Sequence, residues 1–214
     1  MTPPASGEPL LEFLAVMRRL RAECPWKREQ THRSLARYLL EETHETLEAI
    51  DTGDDTGDWE QLREELGDLL LQVYFHAVIA EESGAFTIDD VARGITEKMY
   101  RRNPHVFGPQ PDDPADGPQD AAAVNEVWQA IKERDKPRAS PTDGLPDTLP
   151  ALLYAAKAVE RGGSAPTLPI DLPIDQPIDQ PADLGDRLLA LVAEAVGDGI
   201  DPEQALRDAV RRHS

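Results

Sequence analysis

The chain has one cysteine, Cys24, so it cannot staple itself. A secreted disulfide scaffold is excluded. Basic residues are scarce: 22 Lys and Arg stand against 41 Asp and Glu, a formal net charge of −19. That deficit argues against gripping a nucleic-acid polymer, where affinity comes from neutralising phosphates. Apolar runs are short too. The longest, Leu69 to Ala80, is interrupted by Gln72 and His76 and falls well below the roughly 20 residues a bilayer helix needs. No membrane partner is expected. The N-terminal MTPPASGEPLLEF shows neither the basic region nor the apolar core of a signal peptide, so a cytoplasmic location is the expectation. No G-x-x-x-x-G-K-S/T, G-x-G-x-x-G or G-x-S-x-G string occurs, which leaves P-loop, Rossmann and serine-hydrolase sites unsupported. Cys24 has no catalytic setting and is expected as a small buried side chain.

What is present is helix-forming. With 40% apolar residues the chain can build a core. Pro9 opens a first helix with Leu10, Phe13, Leu14 and Met17 along one face. A second runs from about Thr31 to Ile50 and is expected to end in the loop TGDDTGD. A third spans about Trp59 to Glu82; its stretch LLLQVYFHAVIA is apolar nearly all round, which predicts burial by neighbours on every side. Thr87 and Asp90 form a capping-box pattern for a fourth, Ile88 to Arg102. Val124, Val127, Trp128 and Ile131 mark a fifth. This predicts an all-α helical bundle. Residues 1–8 are expected to be a flexible N-terminus, 9–136 one domain and 137–149 a Pro-rich linker. In 150–214, repeats of PID (PIDLPIDQPIDQP) make an extended tether of about 164–182, followed by a helical stretch from Leu184 to Arg212.

Charge is unevenly spread. Between Glu41 and Asp68 stand twelve acidic residues and one basic, Arg63, whereas Arg18 to Arg37 holds seven basic residues against Glu23 and Glu29. Two strings stand out. Glu41-Glu42-Thr43-His44-Glu45 lies on the second helix and Glu65-Leu66-Gly67-Asp68 near the start of the third. Residues three or four apart share a helix face, so Glu42 pairs with Glu45 and Glu65 with Asp68. Glu42 also falls on the stripe of Leu35 and Leu39, and Asp68 on that of Gln72, Phe75 and Ile79. Carboxylates aimed inward are expensive unless something compensates them. A divalent cation would, and Mg²⁺ accepts a few carboxylate oxygens alongside water or phosphate. The spacing therefore predicts a two-helix carboxylate metal site. A di-iron bundle is disfavoured, because its two E-x-x-H motifs, Glu29/His32 and Glu41/His44, would sit about 18 Å apart on one helix.

Residues 23–32 (ECPWKREQTH), 40–45 (LEETHE), 64–71 (EELGDLLL), 98–107 (KMYRRNPHVF) and 125–132 (NEVWQAIK) follow, in order and at similar spacing, the MazG family of nucleoside triphosphate pyrophosphohydrolases. The resemblance covers about residues 9–136. It implies an all-α, Mg²⁺-dependent enzyme (Mn²⁺ as the alternative ion) that cleaves a nucleoside triphosphate to monophosphate and pyrophosphate, usually as a homodimer or higher homo-oligomer. It further implies that Glu41, Glu42, Glu45, Glu65 and Asp68 form the acidic cluster. Glu42, Glu45, Glu65 and Asp68 would be the metal ligands, and Glu41 and Glu42 the catalytic carboxylates; the chemistry asks for a general base outside the innermost metal shell, and Glu41 is the one expected to serve. Lys98, Arg101 and Arg102 would meet the phosphates, Trp128 and Lys132 would belong to the nucleotide pocket, and Tyr38 and Leu39 would wall the base. Alternatives are a dUTP- or dCTP-specific hydrolase of the same superfamily and a non-catalytic regulatory or protein-binding bundle.

Two departures from the family pattern stand out. Lys27 occupies the position of the usual Asp after CPW, so that loop is given no catalytic role. In the tail, Asp183-Leu184-Gly185-Asp186 repeats Glu65-Leu66-Gly67-Asp68 at an offset of 118, but no E-E-x-x-E accompanies it. Residues 150–214 are expected to be a degenerate second MazG-like segment.

Overall fold

The computed structural model describes residues 8–109, 120–135, 139–162 and 181–213. Among them are ten helices and no strand: α1 Glu8–Glu23, α2 Pro25–Glu29, α3 His32–Thr56, α4 Glu60–Glu82, α5 Ile88–Arg102, α6 Pro104–Phe107, α7 Ala121–Asp135, α8 Ala151–Arg161, α9 Pro181–Gly197 and α10 Pro202–His213. The expected all-α class is the observed one. The chain forms two compact units, Met1–Gln119 and Asp120–Ser214. The division falls before α7, so the helix of Trp128 and Lys132 groups with the C-terminal unit rather than with the residues it follows in the family motifs. Residues 1–7, and 163–180 with nearly all of the PID tether, lie outside the described residues.

In the N-terminal unit, α1 and α3 pack against α4. Leu14 and Met17 from α1, Leu35 from α3, and Tyr74, Phe75 and Val78 from α4 form the core, with Met17 fully enclosed. Each such side chain contributes about 1.5–3 kcal/mol by leaving water. Thr31 caps α3 by accepting from the Ser34 amide, and Ser34 reciprocates toward the Thr31 amide. Thr87 and Asp90 cap α5 in the same reciprocal way, as their spacing predicts. Two arginines about one turn apart then clamp α1 to the end of α4. Arg18 reaches Glu81 with both Nε (3.0 Å) and Nη2 (2.7 Å), and Arg21 reaches Glu82 likewise (2.8 and 2.7 Å). Arg21 is buried, and its Nη1 also donates to the carbonyls of Lys27 and Gln30. The turn after CPW is thus tied to α1 and α4 through one side chain.

Four expectations are corrected. The second helix does not stop at TGDDTGD; α3 continues through it to Thr56 and ends at Gly57, whose left-handed backbone (φ 75°) closes the helix. Gly53 is there for close packing: a Cβ on it would run into the ring of Trp59. The α4 helix is not covered on every side. Leu66 and Val73, two turns apart, remain 51% and 43% exposed. The final stretch is two helices, separated at Gly199 (φ 73°) and restarted by Pro202. Cys24 is half-buried, lining a shallow cleft of about 500 Å³ with Val16, Arg19, Leu20 and Glu23.

In the C-terminal unit, α8, α9 and α10 pack on one another around Ala156, Val159, Val192 and Ala193. Residues 139–150 are a run of tight turns. Asp143 accepts from the amides of Ala139 and Ser140, Leu145 is buried, and Arg161 donates to the Asp143 carbonyl.

Candidate metal centre

A short connection, Gly57 to Trp59, folds α3 back on α4 as a helical hairpin. That geometry brings the two acidic strings together. Carboxylate oxygens of Glu42, Glu45 and Glu65 all lie within 4.8 Å of one another. Asp68, one turn beyond Glu65, acts electrostatically on both Glu42 and Glu65. Glu42, Glu65 and Asp68 are half-buried and Glu45 is exposed, so the group opens to solvent on one side.

The electrostatics are those of crowded like charges. Burial raises the Glu42 carboxyl above its ordinary value, and the neighbouring Asp68 and Glu45 raise it further. Glu65 is raised by the same causes, burial first and then Glu45, Asp68 and Glu64. Among the described residues, no Lys or Arg stands among the groups acting on either carboxylate. The donor set is hard oxygen alone, without His or Cys, which fits Mg²⁺ or Mn²⁺ rather than a softer ion. One further polar group sits here. Gln72, one turn past Asp68 and 4% exposed, acts on the Glu42 carboxyl as a neutral donor that opposes its rise, and its Oε1 is buried with no partner.

The remaining sequence-predicted residues fall outside this group. Glu41 is exposed, and its carboxylate approaches Arg37 at 3.9 Å. Tyr38 is half-buried beneath the Arg37 guanidinium (4.9 Å to the ring centre) and meets Trp26 edge-on at 6.0 Å. Leu39 is exposed on the neighbouring face. Lys98 and Arg102 are half-buried at i, i+4 on α5, with Arg101 exposed between them. The α5 helix packs on α4, the helix that carries Glu65 and Asp68. On α7, the Lys132 ammonium lies 4.8 Å from the centre of the Trp128 ring, within the C-terminal unit. Sequence reasoning noted Gln72 only as part of an apolar stripe. The signal that finds it is the hairpin itself: Glu42 and Gln72 both stand fifteen residues from Gly57, hence at one height on facing helices.

The MazG nucleotide pyrophosphohydrolase domain matches residues 30–107, the stretch that holds α3 to α6. Over 206 residues the chain is 42% identical to an uncharacterized 26.1 kDa protein of Streptomyces cacaoi, covering 95% of this chain and 78% of that protein. It is 37% identical over 220 residues to the nucleoside triphosphate pyrophosphohydrolase/pyrophosphatase MazG of Thermotoga maritima, covering 94% of this chain and 81% of the relative. With the nucleoside triphosphate pyrophosphohydrolase of Escherichia coli the identity is 42% over 155 residues, 70% of this chain and 55% of that one. The chain thus spans about half the length of the Escherichia coli relative and most of the other two. The motifs, the all-α hairpin and these alignments agree: the chain belongs to the MazG family of nucleotide pyrophosphohydrolases.

Proposed function

We propose that this protein is a Mg²⁺-dependent nucleoside triphosphate pyrophosphohydrolase, with Mn²⁺ able to substitute, that converts a triphosphate and water to monophosphate and pyrophosphate. The observation that carries the reading is the group of Glu42, Glu45 and Glu65 oxygens within 4.8 Å, with Asp68 beside it. The names of the Thermotoga and Escherichia relatives support the substrate class. Glu42, Glu45, Glu65 and Asp68 hold the cation, which when bound supplies positive charge for the polyphosphate and acidifies water. Lys98 and Arg102, with Arg101 at the rim, meet the phosphate oxygens and neutralise the charge that builds on the leaving group. Glu41, outside the ligand group, takes the proton from the attacking water while Glu42 orients it. Tyr38 and Leu39 flank the base. Whether Trp128 and Lys132 add to nucleotide affinity is tested by shortening the chain.

A homodimer is part of the same proposal. Leu40 and Leu47 on α3, and Leu66 and Val73 on α4, are each two turns apart and exposed, apolar surface that a second copy would cover. Sedimentation velocity checks it; a monomer at micromolar concentration would reject the dimer.

The decisive experiment measures pyrophosphate release across a nucleotide panel, with and without Mg²⁺. Release from several triphosphates supports a broad enzyme. Release from dUTP or dCTP alone supports the narrow one. No release with either Mg²⁺ or Mn²⁺ would reject the enzymatic reading in favour of a binding module. Hydrolysis in ¹⁸O-water then shows which phosphorus is attacked.

A further inference from the structure

Gln72 is costly where it stands. It is 4% exposed on the α4 stripe it shares with Phe75 and Ile79, and its Oε1 has no partner. A buried amide oxygen left unsatisfied costs about 1–3 kcal/mol, so for packing alone a leucine of similar volume would serve better. Its orientation is set by chemistry. Only the N–H end of the amide can donate to a carboxylate, so Nε2 faces Glu42 and Oε1 is left beside it, on the same carbon. The orphaned acceptor is therefore one bond from the carbon that carries the donor to Glu42, beside a group whose four carboxylates are all acceptors themselves. A water entering there has protons to donate and, at Gln72, one neutral oxygen to receive them.

We propose that Gln72 is the positioning residue of this centre, holding the Glu42 carboxylate in place through Nε2 while Oε1 accepts a hydrogen bond from water in the cluster. This rests on the proposed metal-dependent function. Gln72 acts through Glu42 and through water, and it is not itself a ligand. Its contribution is order: a carboxylate fixed by a neutral donor keeps its charge and its direction before the cation arrives, so less is spent on arranging it at binding.

The test uses the full chain, Gln72→Met and Gln72→Leu, and Mn²⁺ as the probe, its free concentration followed by electron paramagnetic resonance. In either variant the Mn²⁺ Kd is expected to rise about tenfold, the scale of lost supporting contacts around metal ligands. In a Glu42→Gln background, where the carboxylate to be held is gone, the same substitution should change Kd by less than about twofold, the mark of a shared pathway. The thermal midpoint of the cation-free protein should stay level or rise, because the variants remove an orphaned acceptor together with one hydrogen bond. Turnover should fall at least about tenfold with KM for the nucleotide little changed. Unchanged Mn²⁺ affinity in a folded variant would overturn the proposal. So would equal weakening in both backgrounds, or a marked loss of cation-free stability, since either would make Gln72 a packing residue. Failure of the wild-type chain to bind Mn²⁺ at all is a different result: it rejects the metal centre itself.

Discussion

Helices α4 and α9 share a four-residue rhythm, Glu65-Leu66-Gly67-Asp68 in one and Asp183-Leu184-Gly185-Asp186 in the other, and then diverge. One turn on, α4 places Gln72 where α9, at the same offset of 118, has Ala190; a further turn on, His76 is matched by Glu194. The partner string E-E-x-x-E has no counterpart anywhere in residues 137–214. Yet α9 still buries Val192 and Ala193 and packs on α8 and α10. The comparison separates two demands on one helix. Packing needs only an apolar stripe of the right period, and α9 has one. A metal centre needs a facing helix, charged groups on both, and a means of holding them, and when the facing string is missing the rest has nothing to hold.

The largest effect expected from this contrast is on turnover. Glu42→Gln or Asp68→Asn should reduce it at least about a hundredfold while the chain stays helical by circular dichroism. Asp186→Asn, in the corresponding position of α9, should leave it within about twofold. Comparable losses at Asp68 and Asp186 would break the comparison. Glu42→Gln should also raise the melting temperature of the cation-free protein. The Glu42 carboxyl is raised in the folded state, so folding gains stability as pH falls through that raised value, and the amide fixes the neutral form permanently.

Next in size is the effect of where the chain ends. A chain stopping at Lys136 keeps every family motif and should remain a folded hydrolase, with turnover per site within a few-fold of full length. One stopping at Gln119, at the division between the compact units, loses Trp128 and Lys132 and should show KM raised about tenfold or more. Equal KM values in the two would remove α7 from nucleotide binding. Loss of turnover in a soluble, correctly assembled Lys136 chain would give the C-terminal unit a catalytic part and undo the contrast.

Much of this was legible in the sequence, and what was missed shares one physical cause. The start of α5 follows from Thr87 and Asp90, whose reciprocal bonds lie within four residues. Glu42 and Glu45, or Glu65 and Asp68, share a face by local helical spacing alone. Gly53 misled because its role depends on Trp59, six residues on and beyond a turn, so a glycine that accommodates a ring passes for a helix breaker. Gln72 was passed over because its partner, Glu42, is thirty residues away and meets it only when the hairpin closes. Local rules reached the helices and the acidic pairs. Burial and height across the hairpin needed coordinates.

A smaller effect sharpens the comparison at the clamp. Arg21 joins α1, the turn after CPW and α4 through Glu82 and the Lys27 and Gln30 carbonyls, and the chain beyond α8 reads GGS with no such string. Arg21→Met should cost about 2 kcal/mol, less than for a fully buried pair because the Glu82 side chain is 47% exposed. Urea denaturation of the Lys136 chain, with and without the substitution, measures it. A change under about 0.5 kcal/mol would show that the turn holds without the clamp.

The smallest effect concerns protons, and it too belongs to one unit. His32, at the start of α3, and His76, on α4, stack at 5.1 Å between ring centres with planes 3° apart, and their Nδ1 atoms are 2.8 Å from each other. One Nδ1 must donate and the other accept, so the contact tolerates one proton between the two nitrogens and not two. His76 is lowered from its ordinary value of 6.5, by burial first and by the neighbouring His32 second. Below about pH 6.5 the unfolded chain therefore binds more protons than the folded one, and stability present above that pH declines as pH falls toward the lowered folded value. Glu42 acts with the opposite sign, which is why the comparison must be a difference. Melting temperatures of wild type and His76→Gln, taken without divalent cation from pH 7.5 down to 5, should converge as the pH drops, by a few degrees at most. The α9 helix carries Glu194 in the matching position, so the Lys136 chain should show the same convergence as the full one. A wild-type curve that runs parallel to that of His76→Gln throughout would mean that His76 titrates alike in folded and unfolded chains, and that the two units do not differ in this respect.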